Sequence, residues 1–176
     1  MRSNEILQLH GKDIRQAECG VWFFDLNTNT NTATGKDKKL KNGNSERYVP
    51  IPSKLIELGL LTYASQVGDG HLFPCVPLSS RGTYSATFGV RFNVILKKLN
   101  IKPAPQTKLR KDFHSLRHTF RANTRAFGVQ PEQANLIGGW AMSDASSGDG
   151  YGLEYERFIS ELKKSIDLVQ YAGVEF

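Results

Sequence analysis

The chain is short of cysteine, methionine and tryptophan, with two of each in 176 residues. Cys19 and Cys75 are too few for a disulfide scaffold or a cysteine-built zinc site, and a reducing cytoplasm is the expected setting. No apolar run approaches the roughly 18 residues that cross a bilayer. The opening MRSNEILQLHGKD has neither an apolar h-region nor a small-residue cleavage site, so no secretory leader is expected. There is no GxxxxGK phosphate loop, no GxSxG elbow, no metal-binding carboxylate pair and no internal repeat.

What is present fits one globular domain: 39% of residues are apolar and 23% charged. The formal charge of +6 is unevenly spread. Residues 91 to 125 hold ten basic residues and one acid, Asp112, for a net +9, whereas residues 126 to 176 carry −5. A basic middle before an acidic tail points to a polyanion-binding face, nucleic acid first; a solvated surface with a chance cluster is the competing reading.

Sequence patterning predicts an α+β fold, mainly α-helical, with a small antiparallel β-sheet near the N-terminus. Ser3 is placed to cap a helix over residues 4 to 9. The apolar run from Val21 to Leu26, the Asn42-Gly43 turn signal and the segment from Glu46 to Ile51 read as a sheet of two or three strands within residues 20 to 52. Between them the polar tract of residues 27 to 39 reads as a mobile surface loop. Ser53 is placed to cap a helix KLIELGLL, stopped near Gly59, and Ser85 to Leu99 reads as a helix with Phe88, Phe92, Ile95 and Leu99 on one face. Asp112 is expected to cap a helix reaching Phe127, and Pro131 to open the next, which ends at Gly138-Gly139. Phe158, Leu162, Ile166 and Val169 mark an amphipathic C-terminal helix. Its expected packing is on its own core, with contact to a neighbouring protomer as the alternative.

The helix after Asp112 carries the chemistry. Phe113, Leu116, Phe120 and Phe127 share one face, and His114, Arg117, His118, Arg121 and Arg125 share another. His114 and Arg117 sit near the helix start, where free N–H groups and the dipole favour an anion. A phosphate there would meet a planar guanidinium fork and an imidazole able to move a proton. The His114/His118 spacing also suits a metal, but Ser115 stands where a metalloprotease helix needs Glu and no third ligand is evident, so no metal is expected. His118 is expected to be a buried structural histidine.

His114-Ser115-Leu116-Arg117-His118-Thr119-Phe120 resembles the H-x-x-R box of the tyrosine recombinases, the phage integrase family. Other boxes of that family have counterparts in order. Arg2, followed by Glu5 and later Asp13-Ile14, is similar to the first arginine box. Lys41, in KLKNGNSERYVPIP, is similar to the β-hairpin lysine, with Lys38 and Lys39 as rivals. Ile137-Gly138-Gly139-Trp140 matches the Ile/Leu-x-Gly-His/Trp box, with Trp in place of the commoner His. Tyr151, on a Gly/Ser-rich loop, is similar to the nucleophile, with Tyr155 in the following helix as the rival. The five boxes span residues 2 to 151.

The resemblance implies the DNA breaking-rejoining fold of the tyrosine recombinase catalytic domain, residues 1–176 forming that single domain without the family's N-terminal DNA-clamping domain. It implies a site-specific recombinase or integrase that cleaves and rejoins strands for phage or mobile-element integration and excision. The alternatives are a DNA-binding module of the same fold that does not cleave, or a topoisomerase-like strand-relaxing enzyme. By resemblance, Tyr151 attacks phosphorus, His114 acts as base, Arg2 and Arg117 clamp the nonbridging oxygens, Lys41 protonates the leaving 5′ oxygen and Trp140 donates its indole N–H. The Tyr151 loop is expected to dock only when DNA or a protomer orders it. Arg47, Arg121 and Arg125 are further candidate DNA contacts. No cofactor, membrane or small-molecule substrate is implied; the partners are double-stranded DNA and other protomers in a tetrameric synapse, in the cytoplasm at the nucleoid.

Overall fold

Arg2, not Ser3, caps the first helix. Helix α1 runs Ser3–Leu7, and Arg2 precedes it in an extended conformation, φ −81° and ψ 156°. The cause is Glu5, whose Oε2 accepts the Arg2 backbone N–H at 2.6 Å and so satisfies a donor the helix leaves open. The computed structural model describes residues 1–28, 38, 40, 46–101, 111–140, 154–171 and 173–174, with side chains from residue 158 onward in the last helix.

A 3₁₀ turn at Gly11–Asp13 leads into strand β1, Ile14–Gln16, followed by β2, Trp22–Leu26, and β3, Arg47–Pro50. They form one antiparallel sheet in the order β1-β2-β3, with Phe24 opposite Ile14 on one side and Val49 on the other. The sheet therefore starts earlier than residue 20, because a strand of three residues carries too little alternation to be legible. The Asn42-Gly43 turn lies outside the described residues. The fold is α+β and about half helical.

Seven helices are described in all. The helix stops at Gly59 as expected: α2 covers Ser53–Glu57, Gly59 takes φ +88°, and a second helix, α3 at Leu60–Val67, begins directly after it. Ser53 is the first helical residue rather than the cap. Its N–H and hydroxyl donate to Asp167 at 2.9 and 2.8 Å. Helix α4, Tyr84–Lys98, lays Phe88 and Phe92 edge-on against Phe113 at 4.9 and 5.3 Å. Its expected apolar face is only half used, since Ile95 and Leu99 are exposed.

Helices α5, Phe113–Ala126, and α6, Pro131–Gly138, follow as the caps predict. Asp112 accepts the Ser115 N–H at 3.0 Å, and Pro131 occupies the first turn of α6. Helix α7, Glu154–Leu168, packs on the chain's own core through Ile159, Leu162 and Ile166. Val169 falls just beyond it. Phe24, Leu26, Val49 and Ile51 from the sheet region meet Leu9, Ala64, Leu72, Ile137, Leu162 and Ile166 in that core. Among the described residues no helix is long and apolar enough to cross a membrane.

One basic residue of the expected surface loop is buried. The Lys38 ammonium donates to Asp13 Oδ1 at 2.5 Å and to Asn27 Oδ1 at 3.1 Å, and the side chains of Lys38 and Asp13 are each 3% exposed. Asp13 Oδ2 also accepts the His10 N–H at 2.8 Å. Asp13→Asn keeps that acceptor but strands the ammonium, and is expected to destabilise the fold by about 3–5 kcal/mol. Adding Lys38→Met is expected to recover most of the loss, because no buried charge then remains. Urea unfolding of the two single variants and the double variant measures both effects. Losses that simply add would show that the pair is not energetically coupled.

Candidate active site

Three arginines from three elements meet at the C-terminal end of α6. Arg2 comes from the cap of α1, Arg47 from the start of β3 and Arg117 from the first turns of α5. Arg117 Nη1 donates to the Gly138 carbonyl at 2.5 Å. Arg117 Nη2 and Arg2 Nη2 both donate to the Gly139 carbonyl, each at 3.4 Å. Arg47 donates to the Ile137 and Gly138 carbonyls, also at 3.4 Å. Carbonyl oxygens at a helix C-terminus are left without intrahelical donors and carry partial negative charge, which is why cations collect there.

One carboxylate lies among them. Glu5 Oε1 accepts from Arg2 Nη1 at 2.8 Å, and Oε2 accepts from Arg47 Nη2 at 2.8 Å. The Glu5 side chain is 3% exposed. Burial alone would raise its pKa. The Arg47 hydrogen bond and charge, with two hydrogen bonds from Arg2, outweigh burial and hold the carboxyl below its ordinary value. Among the described residues, three guanidiniums face one carboxylate, an excess of positive charge. Arg117 registers this excess: burial first, then the charge of Arg2, pushes its pKa down to about 10, which leaves it charged at neutral pH.

The Gly138-Gly139-Trp140 step is shaped by these contacts. A Cβ on Gly138 would lie 1.9 Å from the Trp140 ring. Gly139 takes φ +65°, and a Cβ there would lie 2.5 Å from the Arg47 guanidinium carbon. The Trp140 ring then carries the Arg117 guanidinium at 4.4 Å and the Arg121 guanidinium at 5.0 Å, with Phe120 stacked at 6.1 Å. Trp140 thus orients two arginines as well as packing the site.

His114 follows Asp112 and Phe113 at the start of α5 and touches His118 edge-on, ring centroids 5.0 Å apart. Partial burial, then the charges of His118, Arg117 and Arg2, lower its pKa, against a smaller opposing pull from Asp112. Its neutral, proton-accepting form is therefore favoured. His118 is exposed, not the buried structural histidine expected.

The faces of α5 depart from expectation at three positions, while His114, His118, Arg121 and Arg125 stay exposed and Phe113 and Phe120 half-buried. Leu116 and Phe127 are exposed, while Arg117 and Thr124 are buried. Arg117 turns inward because the α6 carbonyls, Glu5 and the Trp140 ring await it there. The free N–H groups expected for an anion at the start of α5 are partly used, since Asp112 occupies the Ser115 N–H.

The structure thus brings together Arg2, Arg117, His114 and Trp140 from the expected set. Lys41 and Tyr151 lie outside the described residues, as do Lys39 and the loop of residues 141–150, and the side chain of Tyr155. Lys38 is committed to Asp13. Arg121 and Arg125 are exposed along α5, as a contact to DNA requires. Arg47 is not: its side chain is 9% exposed and lies inside the cluster. Its role there was missed because its partners are remote in sequence; the only local signal was an arginine opening an otherwise apolar strand. Comparison with protein-family models, curated proteins and solved structures finds no match.

Proposed function

We propose that this chain is a tyrosine-type DNA strand transferase, the catalytic domain of a site-specific recombinase or integrase with the tyrosine recombinase fold. The observation that supports it most is the meeting of Arg2 and Arg117 on one carbonyl oxygen, Gly139 O, from residues 115 positions apart. Two guanidinium tips that share one oxygen stand close enough for one tetrahedral anion to bridge them. Hydrogen bonds of 3.4 Å to a neutral carbonyl are weak, whereas guanidinium–phosphate bonds settle at about 2.7–2.9 Å and are roughly twice as strong. A phosphodiester would displace the carbonyl contacts readily.

In this reading Arg2 and Arg117 hold the nonbridging oxygens and stabilise the charge of the transition state. The Tyr151 oxygen attacks phosphorus, its proton passes to His114, and the 3′-phosphate becomes ester-linked to the protein. Lys41 protonates the departing 5′ oxygen. The bond energy stays in the phosphotyrosine, so a 5′ hydroxyl from another strand reverses the step. Partners are double-stranded DNA and other protomers assembled on it.

The test is a pool of end-labelled nicked duplexes randomised around the nick, from which a cleaved 5′ fragment diffuses away. Wild-type protein is expected to form a denaturant-resistant 3′ adduct, and Tyr151→Phe none. No wild-type adduct, or one that survives Tyr151→Phe, refutes the assignment; DNA binding without an adduct identifies the non-cleaving module instead.

A pH dependence follows from His114. The neutral imidazole is the base, and its conjugate acid is disfavoured by burial and by Arg117 and Arg2. The cleavage rate is expected to stay level as pH falls through the ordinary histidine value of about 6.5, and to decline only below it. A rate–pH profile with its acid limb centred above that value would contradict this role.

A further inference from the structure

We infer that His118 is a positioning residue for His114: its ring sets the angle at which the His114 imidazole stands at the start of α5. The inference rests on the strand-transferase reading for the use of His114 as a base, and on the geometry of α5 for the rest. A histidine base acts only when its ring is held toward the proton it takes, and the usual holder is a carboxylate or carbonyl on the second ring nitrogen. His114 has no such holder: among the described residues its side chain makes no hydrogen bond and no ion pair. The carboxylate at the cap, Asp112, accepts the Ser115 N–H through Oδ1 at 3.0 Å, and the Asp112 carbonyl accepts the Ser115 hydroxyl at 2.6 Å. What touches His114 is the His118 ring, edge-on, with centroids 5.0 Å apart and planes at 79°.

The helix enforces this contact. Residues four apart lie one above the other on one face, and the side-chain rotamers open in a helix lean back toward its N-terminus. His118 therefore leans over the first turn of α5, where His114 stands. An imidazole at this position adds what a plain aromatic ring lacks. A proton on His118 opposes a proton on His114, because like charges this close repel. The charged groups facing His114 are His118 and Arg117 on α5, Asp112 at its cap and Arg2 from the cap of α1. Of these His118 acts most strongly, in the same direction as burial, Arg117 and Arg2 and against Asp112. One residue thus directs the ring and helps to keep its lone pair open. His118 is exposed, so its replacement empties no part of the core.

The test uses His118→Phe, which keeps a ring and loses the charge, and His118→Ala, which loses both. Proton–carbon NMR of the imidazoles in the free protein titrates His114 directly, without DNA or reaction. The single-turnover adduct rate at saturating nicked duplex, followed across pH with DNA affinity measured beside it, reads catalysis. Both variants are expected to move the His114 titration and the acid limb of the rate profile upward together. His118→Ala is expected to lower the rate on the plateau above that limb about two- to tenfold, the worth of one edge-to-face ring contact, with DNA affinity changed less than about threefold. His118→Phe is expected to regain most of that rate. A His118 that only faces solvent, or only touches DNA, leaves the His114 titration at its wild-type position. An unmoved titration in either variant, a His118→Ala plateau equal to wild type, or a His118→Phe rate no better than that of His118→Ala overturns the inference. Absence of any Tyr151-dependent adduct refutes the strand-transferase reading, and the NMR titration still decides whether His118 governs His114.

Discussion

Glu5→Ala is expected to destabilise the folded protein by about 3–5 kcal/mol, several times the ~0–1 kcal/mol of an exposed ion pair. The difference comes from what is left behind. Glu5 is the carboxylate that faces Arg2 and Arg47 directly, its side chain is 3% exposed, and its charge also reaches Arg117. Removing it leaves partly dried guanidiniums facing one another with reduced compensation, and takes away the acceptor that caps the Arg2 N–H. Glu5→Gln retains the shape and one acceptor, so its cost is expected to be smaller. The pH dependence separates charge from shape. The folded-state pKa of Glu5 lies below its ordinary value of 4.5. The unfolded chain therefore takes up the proton first as pH falls, and the Glu5 contribution is complete above about 4.5 and lost on descent through the folded-state value. Wild-type stability in urea is expected to decline over that acid window, and the Glu5→Gln curve to be flatter there. Parallel curves would mean that the carboxylate charge contributes nothing.

The same residues explain what was legible in the sequence. Asp112 before α5, Pro131 opening α6 and Gly139 closing it act within a single turn of chain, so their effects follow from residue type and position alone. Arg2, Arg117 and Trp140 were singled out by a resemblance in their order and spacing, and the structure brings the three together at the end of α6. What was hidden depends on partners distant in sequence. A helical wheel assigns Arg117 to solvent and Leu116 to the core, and the structure does the reverse. No local pattern shows that Glu5 and the α6 carbonyls lie across the fold. Lys38 was hidden in the same way, sitting in a polar tract that looked solvated while Asp13 supplied its counter-charge 25 residues earlier. Arg47 looked like a surface contact to DNA because arginine side chains are mostly exposed. Burying a guanidinium is tolerable only where carboxylate and carbonyl oxygens converge, and that convergence is a property of three elements at once.

Arg117→Ala is expected to lower the adduct-forming rate at saturating DNA by at least about a hundredfold, and by up to about a thousandfold, the range for losing one preorganised donor to a developing oxyanion. The argument begins from its pre-orientation. Arg117 is held by the Gly138 carbonyl at one end and by the Trp140 ring 4.4 Å from its guanidinium carbon, so its direction is set before any phosphate arrives. Its charge also disfavours protonation of His114, so its loss raises the His114 pKa and moves the acid limb of the rate profile upward. DNA affinity is expected to change far less. Arg117 is one of ten basic residues between positions 91 and 125, and it is buried while Arg121 and Arg125 are exposed. Each phosphate contact contributes roughly one unit to the salt slope of binding, so losing one leaves most of the electrostatic attraction in place. Arg117→Lys is expected to recover little of the rate, because a lysine ammonium cannot bind two nonbridging oxygens while stacking on Trp140. Single-turnover kinetics beside a salt series of binding measures each term. A rate within threefold of wild type, or a loss of binding as large as the loss of rate, would place Arg117 outside the reacting centre.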